Sequence, residues 1–151
     1  MSWTEFGAEN ALRNWLRNEE IQTQHYVALI TSAVAPDTEG TTLTTFTQIA
    51  TGNGYVDGGI TLNRDTTDYD VVTVDDANNI MGVQIKDLVW TASSGPIPAS
   101  GDGARYAVHT GHNATVANRE VYAAWDLVSD RSVSDGQTLT LQNCELQIDV
   151  G

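Results

Sequence analysis

Arg119 to Val150 reads REVYAAWDLVSDRSVSDGQTLTLQNCELQIDV, and the phase of its apolar residues decides the fold class. Val121, Ala123, Trp125 and Leu127 alternate with other residues, the period-2 signature of a strand with one apolar face. Ser134-Asp135-Gly136 follows as a turn signal, with Gly136 free to take a positive φ. Leu139 and Leu141 then fall on odd positions, whereas Leu146, Ile148 and Val150 fall on even ones. Side-chain facing has period 2, so this phase change requires a bulge or tight turn at Gln142-Asn143-Cys144. Three short strands with one apolar face each are not stable alone and must pack on the rest of the chain.

That rest is long enough, at 151 residues, for one domain with a real core. No apolar run approaches the ~18 residues of a membrane-spanning helix, and no basic segment followed by an apolar one opens the chain, so neither a membrane span nor a signal peptide is expected. The single Cys144 excludes an internal disulfide framework, and its place in an alternating run makes it a small core residue. Lys+Arg number 7 against 20 Asp+Glu, a formal net charge of −13. Such a surface repels phosphate backbones, which argues against a nucleic-acid partner and for solubility.

From the N-terminus, Ser2-Trp3-Thr4-Glu5 fits a capping box, with Met1 and Phe6 at the staple positions around it. Ala8, Ala11, Leu12, Trp15 and Leu16 recur at helical spacing, predicting an amphipathic helix over about residues 3–19. Its apolar stripe either covers a face of its own domain or docks on a neighbouring subunit, the first being the commoner use of such stripes. HYVALITS, His25 to Ser32, is a near-continuous apolar run and predicts a buried central strand, ended by turn chemistry at Ala35 to Gly40. Strand material recurs at Ile60 to Leu62, Val71 to Val74, Ile80 to Ile85, Leu88 to Trp90 and Ala104 to Thr110. TASSGPIPASGDG, Thr91 to Gly103, holds two prolines and three glycines and predicts an exposed loop, a usual place for contacts on a rigid β-scaffold. Many short strands, regular turn signals and one helix together predict a mainly β domain over 1–151, a β-sandwich or jelly-roll-like fold with an N-terminal α-helix.

No catalytic constellation assembles from these residues. His109 and His112 stand three apart, but one lies in a strand and the other in a turn, and no third ligand completes a zinc site. Asp65, Asp68, Asp70, Asp75 and Asp76 offer the oxygens calcium prefers, at spacings that fail the EF-hand pattern, so solvated acidic loops are the default. Gly52-Asn53-Gly54 and Gly101-Asp102-Gly103 lack the strand–helix context of a phosphate-binding loop, and no G-x-S-x-G elbow occurs. The expectation is a protein without enzyme activity, metal or cofactor.

Two short patterns carry a resemblance. The ending SVSDGQTLTLQNCELQI, and the opening formed by Ala11 to Asn18, Tyr26 to Thr31 and Ala35-Pro36-Asp37 with Gly52-Asn53-Gly54-Tyr55 after it, resemble the two ends of small tailed-phage virion structural proteins, labelled loosely as head-decoration or tail-fibre proteins. Asp65 to Asn79 and Ser93 to Gly103 are longer than the compact versions in that family. The resemblance implies a virion protein made in the bacterial cytoplasm. Its expected role is a capsid decoration (cement) protein, a symmetric homo-oligomer on the major capsid protein, with a tail-fibre, baseplate or tail-adaptor module as the alternative. Trp3, Phe6 and the loop Pro96-Ile97-Pro98 are the expected partner contacts. A carbohydrate-binding sandwich is a third reading, requiring Tyr55, Trp90, Tyr106 and Trp125 to face outward.

Overall fold

A computed structural model describes residues 2–19 and 22–149; Met1 and Val150, which entered the staple and strand patterns, lie outside the described residues. The chain is mainly β and sandwich-like. Its strands are β1 (Ser2–Trp3), β2 (Gln24–Ile30), β3 (Ile60–Asn63), β4 (Tyr69–Asp75), β5 (Ile80–Ile85), β6 (Leu88–Thr91), β7 (Ala104–Thr110), β8 (Val121–Arg131), β9 (Thr138–Leu141) and β10 (Glu145–Asp149). They form a five-stranded sheet in the order β1-β8-β7-β2-β3, a three-stranded sheet β10-β5-β4 and a pair β6-β9, with antiparallel pairing throughout.

The run at His25 to Ser32 is continuous because β2 is buried on both faces. Val27 and Leu29 enter the main core between the five-stranded sheet and the smaller sheets, where Ile85, Leu88, Trp90, Ile97, Leu139, Leu141 and Leu146 meet them. Ala28 and Ile30 enter a second core, closed by Leu43 and Phe46 from the segment after β2 together with Val108 and Val121. Tyr55 braces β2 from within the main core: its hydroxyl accepts from Leu29 N at 3.0 Å and donates to Leu29 O at 3.2 Å.

The C-terminal phase change is a tight turn. Asn143 takes φ 55°, Leu141 ends β9 in one sheet, and Leu146 sits in β10 of another, so odd and even residues reach the same core. Cys144 is buried there, and burial pushes its thiol up to about 11, which keeps it protonated at neutral pH. A second break in phase has no signature in the sequence. Thr110 pairs Val121 while His109 pairs Ala123, so Tyr122 is an extra residue in a bulge. Val121 therefore packs in the second core and Ala123 in the first, although their spacing suggests one shared face.

The helix differs from expectation in start, end and facing. Ser2–Trp3 is an edge strand on β8, and Thr4, in place of Ser2, is the cap: its hydroxyl accepts from Gly7 N at 3.2 Å and donates to Val121 O. Helix α1 (Glu5–Leu12) continues as one π turn (Arg13–Arg17) and stops at Asn18 in the left-handed region. The face it lays on the domain is Gly7, Asn10, Ala11 and Asn14, to which the expected apolar stripe contributes only Ala11. Gly7 decides this, because a Cβ there would lie 2.3 Å from the Tyr122 carbonyl oxygen. Leu12, Trp15 and Leu16 are left 54%, 81% and 66% exposed.

The acidic middle is built from turns. Asp65 accepts from the N–H groups of Thr67 and Asp68, and Asp75 from those of Ala77 and Asn78. Asp68 is buried, accepts from Asn63 N at 2.7 Å and pairs with Lys86. Burial works against its charge, but the Lys86 and Asn63 bonds outweigh it and hold the carboxyl below its ordinary range. Lys86→Ala leaves that carboxylate buried without its cation, and a loss of about 2–3 kcal/mol is expected in urea unfolding at pH 7. An unchanged midpoint would show that Asp68 gains nothing from its partner.

Candidate functional site

The bulge at Tyr122, the N-terminal helix and the three-stranded sheet meet around an open cleft of about 650 Å3. One wall is helical: Gly7, Asn10, Ala11, Asn14 and Trp15. The other is the row Val72, Val83 and Leu146, paired side by side across β4, β5 and β10. Trp3 lines it as well, its indole N–H donating to Gln147 O. Beyond the first row, the next residues of the same sheet face, Val74, Met81 and Ile148, are 62%, 45% and 51% exposed. Trp15 on the helical wall and Val72, Val74, Met81 and Ile148 on the sheet side thus stand exposed at the opening, and none of the described residues covers them.

The floor is polar. His25 from β2 and His109 from β7 sit diagonally across two paired strands, since Val27 is the residue opposite His109. Their rings lie edge to face with centroids 4.8 Å apart. The Tyr69 hydroxyl stands between them, 2.9 Å from His25 Nδ1 and 2.9 Å from His109 Nε2. A hydroxyl has one proton to give, so one ring nitrogen accepts it and the other donates to the Tyr oxygen. In either tautomeric arrangement one imidazole keeps an N–H and the other a bare nitrogen, at His25 Nε2 and His109 Nδ1, and both of these atoms are buried without a partner. Burial chiefly, with help from the nearby Arg64 charge, lowers His25 to about 4; burial and the neighbouring His25 hold His109 well below its ordinary value. Both rings are neutral at pH 7. Asn14 adds a third orphan: its amide N–H groups bond Asn10 O and Oδ1 at 2.9 and 2.7 Å, leaving Asn14 Oδ1 with no donor. Among the described residues, these three of the six buried polar side-chain atoms without a partner belong to residues lining this one cleft.

Of the expected contact residues, only Trp3 lines the cleft. Phe6 is half-buried on another side of the helix, against Gly40. Pro96 is exposed, with its carbonyl held by Asn53 Nδ2 at 2.9 Å. Ile97 and Pro98 are corrections: both are buried, and Ile97 exchanges backbone bonds of 3.0 and 2.8 Å with Val133 while its side chain fills the main core. The Pro/Gly-rich segment is pinned by that one apolar residue and offers no free loop at its centre. Tyr55 and Trp90 are also core residues, so they supply no platform for a sugar ring. His112 is exposed and bonds Tyr26 OH at 3.0 Å, well apart in role from His109.

The pairing of His25 with His109 escaped the sequence because 83 intervening residues separate them, although each shares the phase of a core neighbour, Val27 and Ala107. The acidic turns described above engage their carboxylates in local hydrogen bonds, and among the described residues no group of three or more His, Cys, Asp or Glu is arranged to hold a metal ion. No family model, no curated protein and no solved structure matches this chain.

Proposed function

We propose that this chain is a structural protein of a tailed-phage virion, acting as a capsid decoration protein that binds and stabilises the major capsid shell. The observation that carries the reading is the open cleft with its exposed apolar surround: Trp15 on the helical wall, with Leu12 and Leu16 exposed on the same helical segment, and Val72 on the sheet wall, continued by Val74, Met81 and Ile148 on the same sheet face. Patches of this extent mark surfaces that meet another protein, and a chain that leaves one open works as part of an assembly. The sequence patterns at both ends support a virion as that assembly, and the sandwich supplies a rigid frame for the face. The mechanism is mass action: a protein that binds only the assembled shell stabilises it by its own binding free energy.

Co-sedimentation with expanded, decoration-free capsids of the parent phage tests this. Saturation at on the order of hundreds of copies per shell, with a raised shell melting temperature, is the expected result. No binding to shells, with a handful of copies recovered in the tail fraction, would replace the decoration role by a tail module.

A further inference from the structure

We propose that the cleft is the self-association site of this chain: two copies pair about a twofold axis, and the Trp15-bearing helical arm of each lies in the cleft of the other. This rests on the reading of the cleft as an assembly face and names its occupant.

Four observations point to a second copy. The first is shape: each copy carries a projecting helical arm directly beside an open cleft, the arrangement that lets one patch serve both partners of an isologous pair. The second is area. From their fractional exposures, Leu12, Trp15, Leu16, Val72, Val74, Met81 and Ile148 leave roughly 700–800 Å2 uncovered per copy, close to one partner's share of a standard-size interface.

The third is chemistry. Trp15, at 81% the most exposed large hydrophobic residue described, combines an aromatic body with one N–H donor. The cleft offers an apolar volume whose unpartnered atoms include Asn14 Oδ1, an acceptor with nothing to accept, and a bare nitrogen on His25 or on the fully buried ring of His109. An indole entering from the mouth supplies the missing donor, and the proton held between the two imidazoles by Tyr69 leaves the other orphan free to pair with water or a backbone carbonyl. The fourth is charge. Arg64 and Asp65 both line the cleft, one charge of each sign in a chain of net charge −13. The cleft is therefore balanced in sign, and two otherwise repelling copies approach there at least cost. The dimer, not the single chain, is then the unit that meets a shell.

Sedimentation velocity of the full chain from about 1 to about 200 µM is the test. A concentration-dependent dimer is expected. Trp15→Glu, and independently Leu16→Glu, should weaken it by about 100-fold or more with an unchanged urea midpoint, because both positions are exposed in the single chain. Val128→Glu, a similarly exposed apolar site on β8, should leave it unaltered. A chain that stays monomeric over the whole range overturns the proposal, and so does a dimer that tolerates both glutamates. A monomer that still saturates shells overturns the dimer alone, whereas a dimer that binds no shell overturns the decoration role alone.

Discussion

Gly7→Ala is expected to destabilise the protein by about 2–3 kcal/mol, although alanine is the better helix former by about 1 kcal/mol. The added methyl meets the Tyr122 carbonyl oxygen at 2.3 Å and the Trp3 ring at 2.7 Å. That oxygen is backbone, fixed by the β8 bulge and already accepting from Thr4 N at 2.9 Å, so it has little room to yield. Relief requires the helix to lift off β8, which breaks the Thr4 bonds to Tyr122 and Val121 together. Ala8→Gly, one residue on and exposed, is the matched control: it loses only the helix-propensity difference, about 1 kcal/mol. Urea unfolding of the two variants separates the terms. A Gly7→Ala protein as stable as the parent would show that the helix does not approach the sheet closely.

Mild acid should destabilise the chain before most of its carboxylates titrate. His25 is held neutral down to about 4 and His109 well below its ordinary value, while the same imidazoles in the unfolded chain take up a proton near 6.5. Between those limits the unfolded state binds more protons than the native state, so stability is fully present above pH 6.5 and falls as the pH drops toward 4. His25 alone accounts for a loss of about 2 kcal/mol by pH 5, and His109 adds a loss of the same sign. The groups facing these rings are Tyr69, Tyr122 and Arg64, none of them a carboxylate that could hold an imidazolium. Urea midpoints at pH 7.5, 6 and 5 check the slope, and the imidazole proton resonances of His25 and His109 should stay at their neutral positions across that range. A midpoint independent of pH would mean that water reaches both rings.

The mainly β class, the buried central strand and the sheet change at Asn143 were legible because each depends on local periodicity. HYVALITS has no polar face to spare for solvent, and the odd-to-even switch between Leu141 and Leu146 requires a bulge or a tight turn, of which the structure has the turn. Of the acidic runs, Asp65 and Asp75 are the turn residues the pattern implies, bonding the backbone two and three residues on, whereas Asp68 is buried against Lys86 instead of solvated. Local pattern misled at three places, each governed by a distant contact. The Pro/Gly-rich segment looked free, but Ile97 belongs to the main core and draws its backbone onto Val133. The helix stripe looked like core, but the only side able to approach the Tyr122 carbonyl is the one bearing Gly7. The spacing of Val121 and Ala123 implied one face, and a bulge sends them to two cores.

Sequence by itself therefore determined most of the segments that form strands, the one strand buried on both faces and the main turns, because these follow from side-chain period and backbone chemistry over a few residues. Tertiary structure alone decided the site. A cleft exists where β4, β5 and β10 extend past the core opposite a helix that is turned by one glycine, and its floor joins His25, Tyr69 and His109 from three separate strands. Such a site is set by which surfaces remain after the core has been filled, and that remainder is not a property of any stretch of sequence.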